Sequence, residues 1–286
     1  MSNTAVAGKV TEKSQNPEKW LIEEPPTLTP EARALFEKYS KNPHHEVIPH
    51  IKAIRDNAFQ IYPYPCLGRW AFLDLRLRQS PQYPQVLSRI KNGDRYLDIG
   101  CCIGQDIRSL VADGAPSENT YGSDMKGDFI DVGYALFRDR ATLKTTFIEA
   151  DIFDADSELN SLEGTVDIVH AASFFHLFDW DEQIKAAKCV VRLLKARPYS
   201  MVVGRQLGHV DARPMMYRFI SGKPLFRHNV ESFARFWKQV GDETGTTWKV
   251  EAGFEQGLDD YGEESEMETE EVAKGERWLV YSVCML

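Results

Sequence analysis

The residues best placed to do chemistry in this chain are three carboxylates and a glycine turn. Asp98 stands two residues before the first glycine of the segment DIGCCIGQD, which carries Gly100, Cys102, Gly104 and Asp106 and joins a short apolar run to an amphipathic stretch. Strand, glycine turn and helix in that order let the backbone reverse and approach a ligand with no Cβ in the way. The helix N-terminus adds unpaired N–H donors and positive potential, which suits the carboxylate of a bound amino acid. Asp124 closes a second apolar run in YGSDM, 24 residues past Gly100, where a carboxylate accepts both hydroxyl protons of a ribose. Asp151 closes a third in FIEADIF. Each acid alone is also an ordinary turn residue. Three in order, at the ends of successive strands, share the sheet edge where open α/β folds bind ligands.

A strand–helix alternation has to position these acids. Strands are expected at 95–99, 119–123, 145–149, 166–171 and 200–204, with helices at 104–112, 127–137 and 181–194. That order predicts an α/β fold with a parallel, doubly wound sheet. Upstream, TPEARALFEKYS carries a capping Thr29, a proline at the first helical position and an early acid, so a helix starts there; a second is expected at 47–59 and a third within 61–77. Beyond Arg205 the rhythm breaks into a long connection with a helical turn of its own, then the amphipathic helix VESFARFWKQVGDE. The strands TTWKVEAGF and RWLVYSVCML follow as an antiparallel terminal hairpin. Their connector is a solvated acidic loop, with nine carboxylates and no Lys or Arg across 255–271. Residues 1–28 read as a mobile segment, with order beginning near Trp20. Residues 29–286 read as one domain, comprising a helical cap at 29–92, a ligand-binding core at 93–204 and an insertion with terminal strands at 205–286.

Composition narrows the function classes. A formal charge of -9 gives no concentrated basic face for nucleic acid. The five cysteines lack the paired spacing of a structural zinc site, so no metal is expected. With neither a signal-type apolar core nor an apolar run of about 18 residues, a cytoplasmic protein without a membrane span is expected. The turn reads G-x-x-x-G rather than G-x-G-x-x-G, which disfavours a nicotinamide dinucleotide.

The glycine turn resembles the first motif of class I S-adenosylmethionine-dependent methyltransferases, acid-x-Gly-x-Gly-x-Gly. YPYPCLGRW, YLDIGCCIGQDIRSL, YGSDMKGDFIDVGYALFRD, FIEADIFD and HLFDWDEQIKAAKCVVRLLK together resemble the fungal methyltransferases of meroterpenoid pathways, from about Thr29 onward. The resemblance implies a Rossmann-like seven-stranded sheet and S-adenosylmethionine as cofactor. It implies that Asp98 anchors the methionine amino group, that Gly100, Cys102 and Gly104 line the methionine moiety, and that Asp124 holds the ribose. Met125 would then pack on the adenine, Asp151 meet its amino group, and Ile152 and Phe153 flank the ring. Cys102 departs from the pattern: it stands at the middle glycine, and cysteine tolerates positive φ poorly.

The activity implied is O-methylation that forms a methyl ester on a carboxyl group of a farnesylated polyketide, a hydrophobic acid. A carboxylate acceptor needs only a cationic clamp, for which Arg69, Arg205 and Arg213 are candidates; a phenol or enol needs a base, for which His176 is the candidate. His170, in mid-strand, reads as a packed core histidine. Tyr64, Trp70, Met216 and Tyr217, with Tyr62, Met215 and Phe219, suit a bulky apolar acceptor or simply pack the cap. The apolar prelude could also serve a homodimer. A cofactor-binding protein without catalysis is the alternative from another class.

Overall fold

The apolar runs become parallel strands because the chain crosses back over the sheet between them, through helices after the first, second and fourth and through a short turn at Glu158–Leu162 after the third. The structure, a computed structural model, describes residues 20–216, 223–255 and 275–286. Its strands are β1 (Tyr96–Ile99), β2 (Thr120–Asp124), β3 (Thr146–Glu149), β4 (Ile168–His170), β5 (Met201–His209), β6 (Arg213–Met216), β7 (Pro224–Arg227), β8 (Trp248–Phe254) and β9 (Glu276–Met285). The helices are α1 (Pro30–Ala34), α2 (Val47–Ile61), α3 (Pro65–Gly68), α4 (Arg76–Gln79), α5 (Tyr83–Lys91), α6 (Gln105–Ala112), α7 (Gly127–Phe137), α8 (Trp180–Leu193) and α9 (Val230–Thr244).

Seven strands form one sheet in the order β3-β2-β1-β4-β5-β9-β8. The first five are parallel, β9 runs antiparallel to β5, and β8 closes the edge antiparallel to β9. This is the seven-stranded, doubly wound α/β sheet with a terminal antiparallel hairpin that the resemblance implies. On one face Ile184, Ala187 and Val190 of α8 and Phe233, Phe236 and Trp237 of α9 bury against β4, β5 and β9. On the other, Val86 and Ile90 of α5 pack with Ile107 and Leu110 of α6 over Tyr96, Ile168 and Met201. Asparagine caps α9 by a reciprocal box, Asn229 with Ser232, which fixes where that amphipathic face begins. No described helix is long and apolar enough to cross a membrane.

A third core joins α2 and the segments after it to α7 through Val47, Ile51, Leu67, Phe129 and Leu136. Trp20 and Leu28 are buried in the same region, and the Trp20 indole donates to the Pro63 carbonyl at 3.2 Å. A Cβ on Gly68 would stand 2.7 Å from the Trp20 carbonyl, so glycine is what lets this strap lie flat. Residues 20–28 therefore belong to the cap, a correction to the boundary at 28. Residues 1–19 lie outside the described residues, as does most of the acidic connector.

Three further expectations change. The single helix within 61–77 is broken into α3, a short turn and the start of α4, because Trp70 and Leu75 adopt left-handed φ of 64° and 50°. β5 runs on to His209, which puts Arg205 inside a strand. The described residues of the following connection hold a two-stranded ribbon of β6 and β7; the expected helical turn is not among them, and 217–222 lie outside the described residues. The apolar residues of the prelude, Leu67, Phe72 and Leu73, are buried within the protomer.

Candidate functional site

The parallel register brings the three acids to one edge. Asp98 pairs with Gly122 on one side and His170 on the other, Asp124 ends β2, and Asp151 follows β3. Each oxygen of Asp124 accepts one backbone N–H, Oδ2 from Cys102 at 2.9 Å and Oδ1 from Lys126 at 3.0 Å. Burial pushes its carboxyl pKa up, while those two N–H groups oppose the shift. Both oxygens keep a lone pair for a diol. Asp151 closes an Asx turn on Phe153 N–H at 2.9 Å.

Between these acids the glycine turn follows a left-handed path, with φ of 71° at Gly100, 50° at Cys102 and 65° at Gly104. Cys102 thus keeps the glycine-type conformation despite its side chain, at a cost of about 1–2 kcal/mol. Its N–H bond to Asp124 holds it there. A Cβ at Gly100 would come within 3.1 Å of the Phe174 ring, and one at Gly104 within 2.7 Å of Arg108 Nη1. Arg108 is buried beneath the turn, bound to Asp139 at 2.8 Å and to the Ile103 carbonyl at 3.0 Å.

Aromatic side chains wall the same edge. Phe174 and Phe178 stand edge to face at 5.5 Å, and Phe178 meets the half-exposed Phe153 at 5.1 Å. Ile152 is buried beside them, and Met125 is exposed next to Lys126. Tyr64 packs on Phe129 at 5.5 Å; burial, followed by the nearby Asp124 and Cys102, raises its pKa. A cradle of missing Cβ atoms, a diol-type acceptor at Asp124 and an apolar slot for a flat ring fit S-adenosylmethionine. Asp98, Gly100, Cys102 and Gly104 would face its amino-acid end, and Asp124, Met125, Asp151, Ile152 and Phe153 its nucleoside.

The acceptor-side expectations fare unevenly. His170 is buried as a core histidine, yet its Nδ1 meets Asp98 Oδ1 at 3.0 Å. Burial alone would strip its proton, but Asp98 and then Asp106 outweigh burial and raise its pKa. The imidazole of His176 accepts the Leu207 N–H on Nδ1 at 2.8 Å, which in the neutral ring leaves the proton on Nε2. Burial, then Arg227 and Arg205, push its pKa well down, so neither nitrogen is a ready proton acceptor.

The three arginines do not form one clamp. Arg205 lines a small cavity with Arg76, His170, Gly204 and Glu255. Its guanidinium lies 3.7 Å from the Trp278 ring centroid and 3.6 Å from the Glu255 carboxylate. Arg69 caps α3 in the prelude, and Arg213 sits on β6 beside His209 at 3.3 Å. Trp70 is wholly buried, with its indole donating to Ile22 and Arg55 covering one face at 3.8 Å; it is a cap core residue rather than a pocket wall. Met216 is exposed on β6, and Tyr217 and Phe219 lie outside the described residues.

Asp106, Arg108, Phe174, Phe178, Arg76 and Glu255 were not anticipated as site residues. Asp106 and the SFFH loop lie inside or beside the motifs named above, so their proximity is a usable signal; Arg76, on α4, and Glu255, after β8, share a cavity with Arg205 only in the folded chain.

Comparison with known proteins agrees with this geometry. Residues 20–73 match a meroterpenoid methyltransferase N-terminal domain, and residues 97–197 a methyltransferase domain. O-methyltransferase phiE of Fungal sp. is 50% identical over 220 residues, covering 76% of this chain and 73% of that protein. O-methyltransferase atr3 of Stereocaulon alpinum is 45% identical, covering 87% and 72%. The Asnovolin E/Chermesin D methyltransferase nvfJ of Aspergillus novofumigatus is 46% identical, covering 77% and 79%. Among solved structures, the [4+2]-cyclase SpnF shares the fold with a TM-score of 0.51 at 15% identity, over 74% of this chain and 81% of that one. The chain therefore belongs to the same family as these fungal enzymes, the S-adenosylmethionine-dependent methyltransferases with a meroterpenoid methyltransferase N-terminal domain.

Proposed function

We propose that this methyltransferase esterifies a carboxyl group of a meroterpenoid acid, with Arg205 as the residue that holds the acceptor carboxylate. The observation that carries this reading is the cavity between β4, β5 and α4, lined by Arg205 and by Arg76, itself paired with Asp74, while His176, outside that lining, accepts the Leu207 N–H and offers no free base. When bound, S-adenosylmethionine supplies an electrophilic methyl on a sulfonium. An ionised carboxylate is already a nucleophile at neutral pH and needs positioning rather than deprotonation. Glu255 occupies the guanidinium of Arg205 now, and an acceptor carboxylate would take its place. Trp278 stacks under that guanidinium and fixes its plane, which favours a two-point grip. His176 acts through Leu207, pinning β5 to the loop after β4. The terpenoid part of the reading draws support from the N-terminal domain match and from nvfJ.

The test is Arg205→Gln and Arg205→Lys, assayed for ester formation with binding of S-adenosylhomocysteine measured in parallel. Loss of a buried charge-assisted grip lowers kcat/KM about 100-fold in the Gln variant, with cofactor affinity retained. Unchanged kcat/KM in both variants would reject Arg205 as the clamp.

A further inference from the structure

Beneath the glycine turn lies a cluster of three buried titratable groups on three elements. Asp98 belongs to β1, His170 ends β4 in the neighbouring register, and Asp106 lies in the first turn of α6; one oxygen or nitrogen of each lies within 4.8 Å of the others. His170 Nδ1 takes Oδ1 of Asp98 at 3.0 Å, and among the described residues no other donor reaches Asp98. Its Oδ2 is therefore left for a ligand. Asp106 is occupied differently, by the Leu77 N–H and the Gln105 amide, each at 3.2 Å. The Tyr96 ring stacks on His170 with centroids 6.2 Å apart and planes 25° apart, which fixes the imidazole plane.

We propose that His170 is a positioning residue for the amino-acid end of S-adenosylmethionine, clamping Oδ1 of Asp98 so that Oδ2 is aimed at the cofactor's ammonium group. A strand-end carboxylate left to itself samples several rotamers, and binding would have to order it. Here the ordering is completed on folding, because both partners are buried on adjacent strands and the imidazole is held between Asp98 and the Tyr96 ring. Asp106 adds a second buried carboxyl group to the cluster without competing for His170 Nδ1, and burial raises its pKa. The inference rests on Asp98 as the ammonium anchor; it does not depend on which acceptor is methylated.

The experiment compares two ligands by calorimetry. S-adenosylhomocysteine keeps the amino-acid end, and 5′-methylthioadenosine lacks it while keeping the nucleoside. His170→Ala is expected to weaken S-adenosylhomocysteine about 30-fold and to leave 5′-methylthioadenosine within about threefold. His170→Asn, whose amide nitrogen stands where Nδ1 stood, should restore most of the loss. In an Asp98→Asn background, His170→Ala should add less than about threefold, because the residue acts through the acid. Equal weakening of both ligands would make His170 merely structural. A full His170 effect persisting without the Asp98 carboxylate would overturn the proposal while leaving Asp98 as an anchor possible only if Asp98→Asn itself weakens S-adenosylhomocysteine. If Asp98→Asn binds both ligands as the wild type does, the anchor assignment fails first and the proposal with it.

Discussion

Arg108 couples the stability of the fold to the shape of the cofactor turn, and removing it tests both. Its Nε and Nη2 bind Asp139 at 2.8 and 3.2 Å, and its Nη1 reaches the carbonyls of Ile103 and Gly104 at 3.0 and 3.3 Å. The rings of Tyr134, Phe137 and Phe147 surround the guanidinium, so no water replaces it cheaply. Arg108→Leu leaves Asp139 buried with the Tyr39 hydroxyl at 2.8 Å as its remaining side-chain donor. Breaking a buried pair from one side costs about 3–5 kcal/mol. An unfolding entropy of about 2.1 cal/mol/K per residue over 286 residues is about 0.6 kcal/mol/K, so a loss of about 4 kcal/mol lowers Tm by about 7 °C. The same change frees two carbonyls of the turn, and S-adenosylhomocysteine should bind about 10-fold more weakly. Arg108→Met with Asp139→Asn removes both charges and should recover more than half of the lost stability. Urea unfolding and calorimetry read both quantities. A single variant within about 1 kcal/mol of the wild type, or a double variant no better than the single, refutes the coupling.

Gly100→Ala places a Cβ 3.1 Å from Phe174 at a φ of 71°; we expect about 1–2 kcal/mol of destabilisation and at least about 10-fold weaker S-adenosylhomocysteine binding by calorimetry. His228 is buried neutral between Ser232 and Gln183, and burial, then Arg235 and Arg227, bring its pKa down to about 3. Because its folded pKa lies below the unfolded value near 6.5, the unfolded chain binds the extra proton and stability is lost as pH falls from about 6.5 toward 3. At pH 5.5 this single group costs about 1.3 kcal/mol relative to pH 7, and His228→Gln should flatten that part of the stability profile in urea titrations.

The regular part of the fold is legible because its signals are local. Five apolar runs, three of them followed by amphipathic helices, mark the parallel strands, and Thr29 marks a helix start. What escapes is set by tertiary contact. The prelude breaks where Trp70 and Leu75 turn left-handed, a conformation imposed by packing that neither residue type favours. The extension of β5 is masked by Gly204 and Gly208, poor strand formers that are needed here: a Cβ at Gly204 would meet the Ala171 carbonyl at 2.4 Å. The β6–β7 ribbon hides behind Pro214 and Pro224, which strand patterns normally exclude. In the site, the ordered acids are visible from spacing alone. The Asp98–His170 bond is not, because it joins residues 72 positions apart and appears only once β4 is known to lie beside β1. Cys102 obeys the expected backbone path even though its residue type argues against it.

The most direct test of carboxyl methylation is the chemical fate of the transferred group. The chain would be incubated with S-adenosylmethionine carrying a trideuterated methyl and either a farnesylated aromatic acid or the matching phenol lacking the carboxyl. The product would then be treated with mild alkali and analysed by mass spectrometry. Methyl ester formation predicts label on the acid alone, released by alkali as trideuterated methanol. Label that survives alkali, or that appears equally on the phenol, would contradict it.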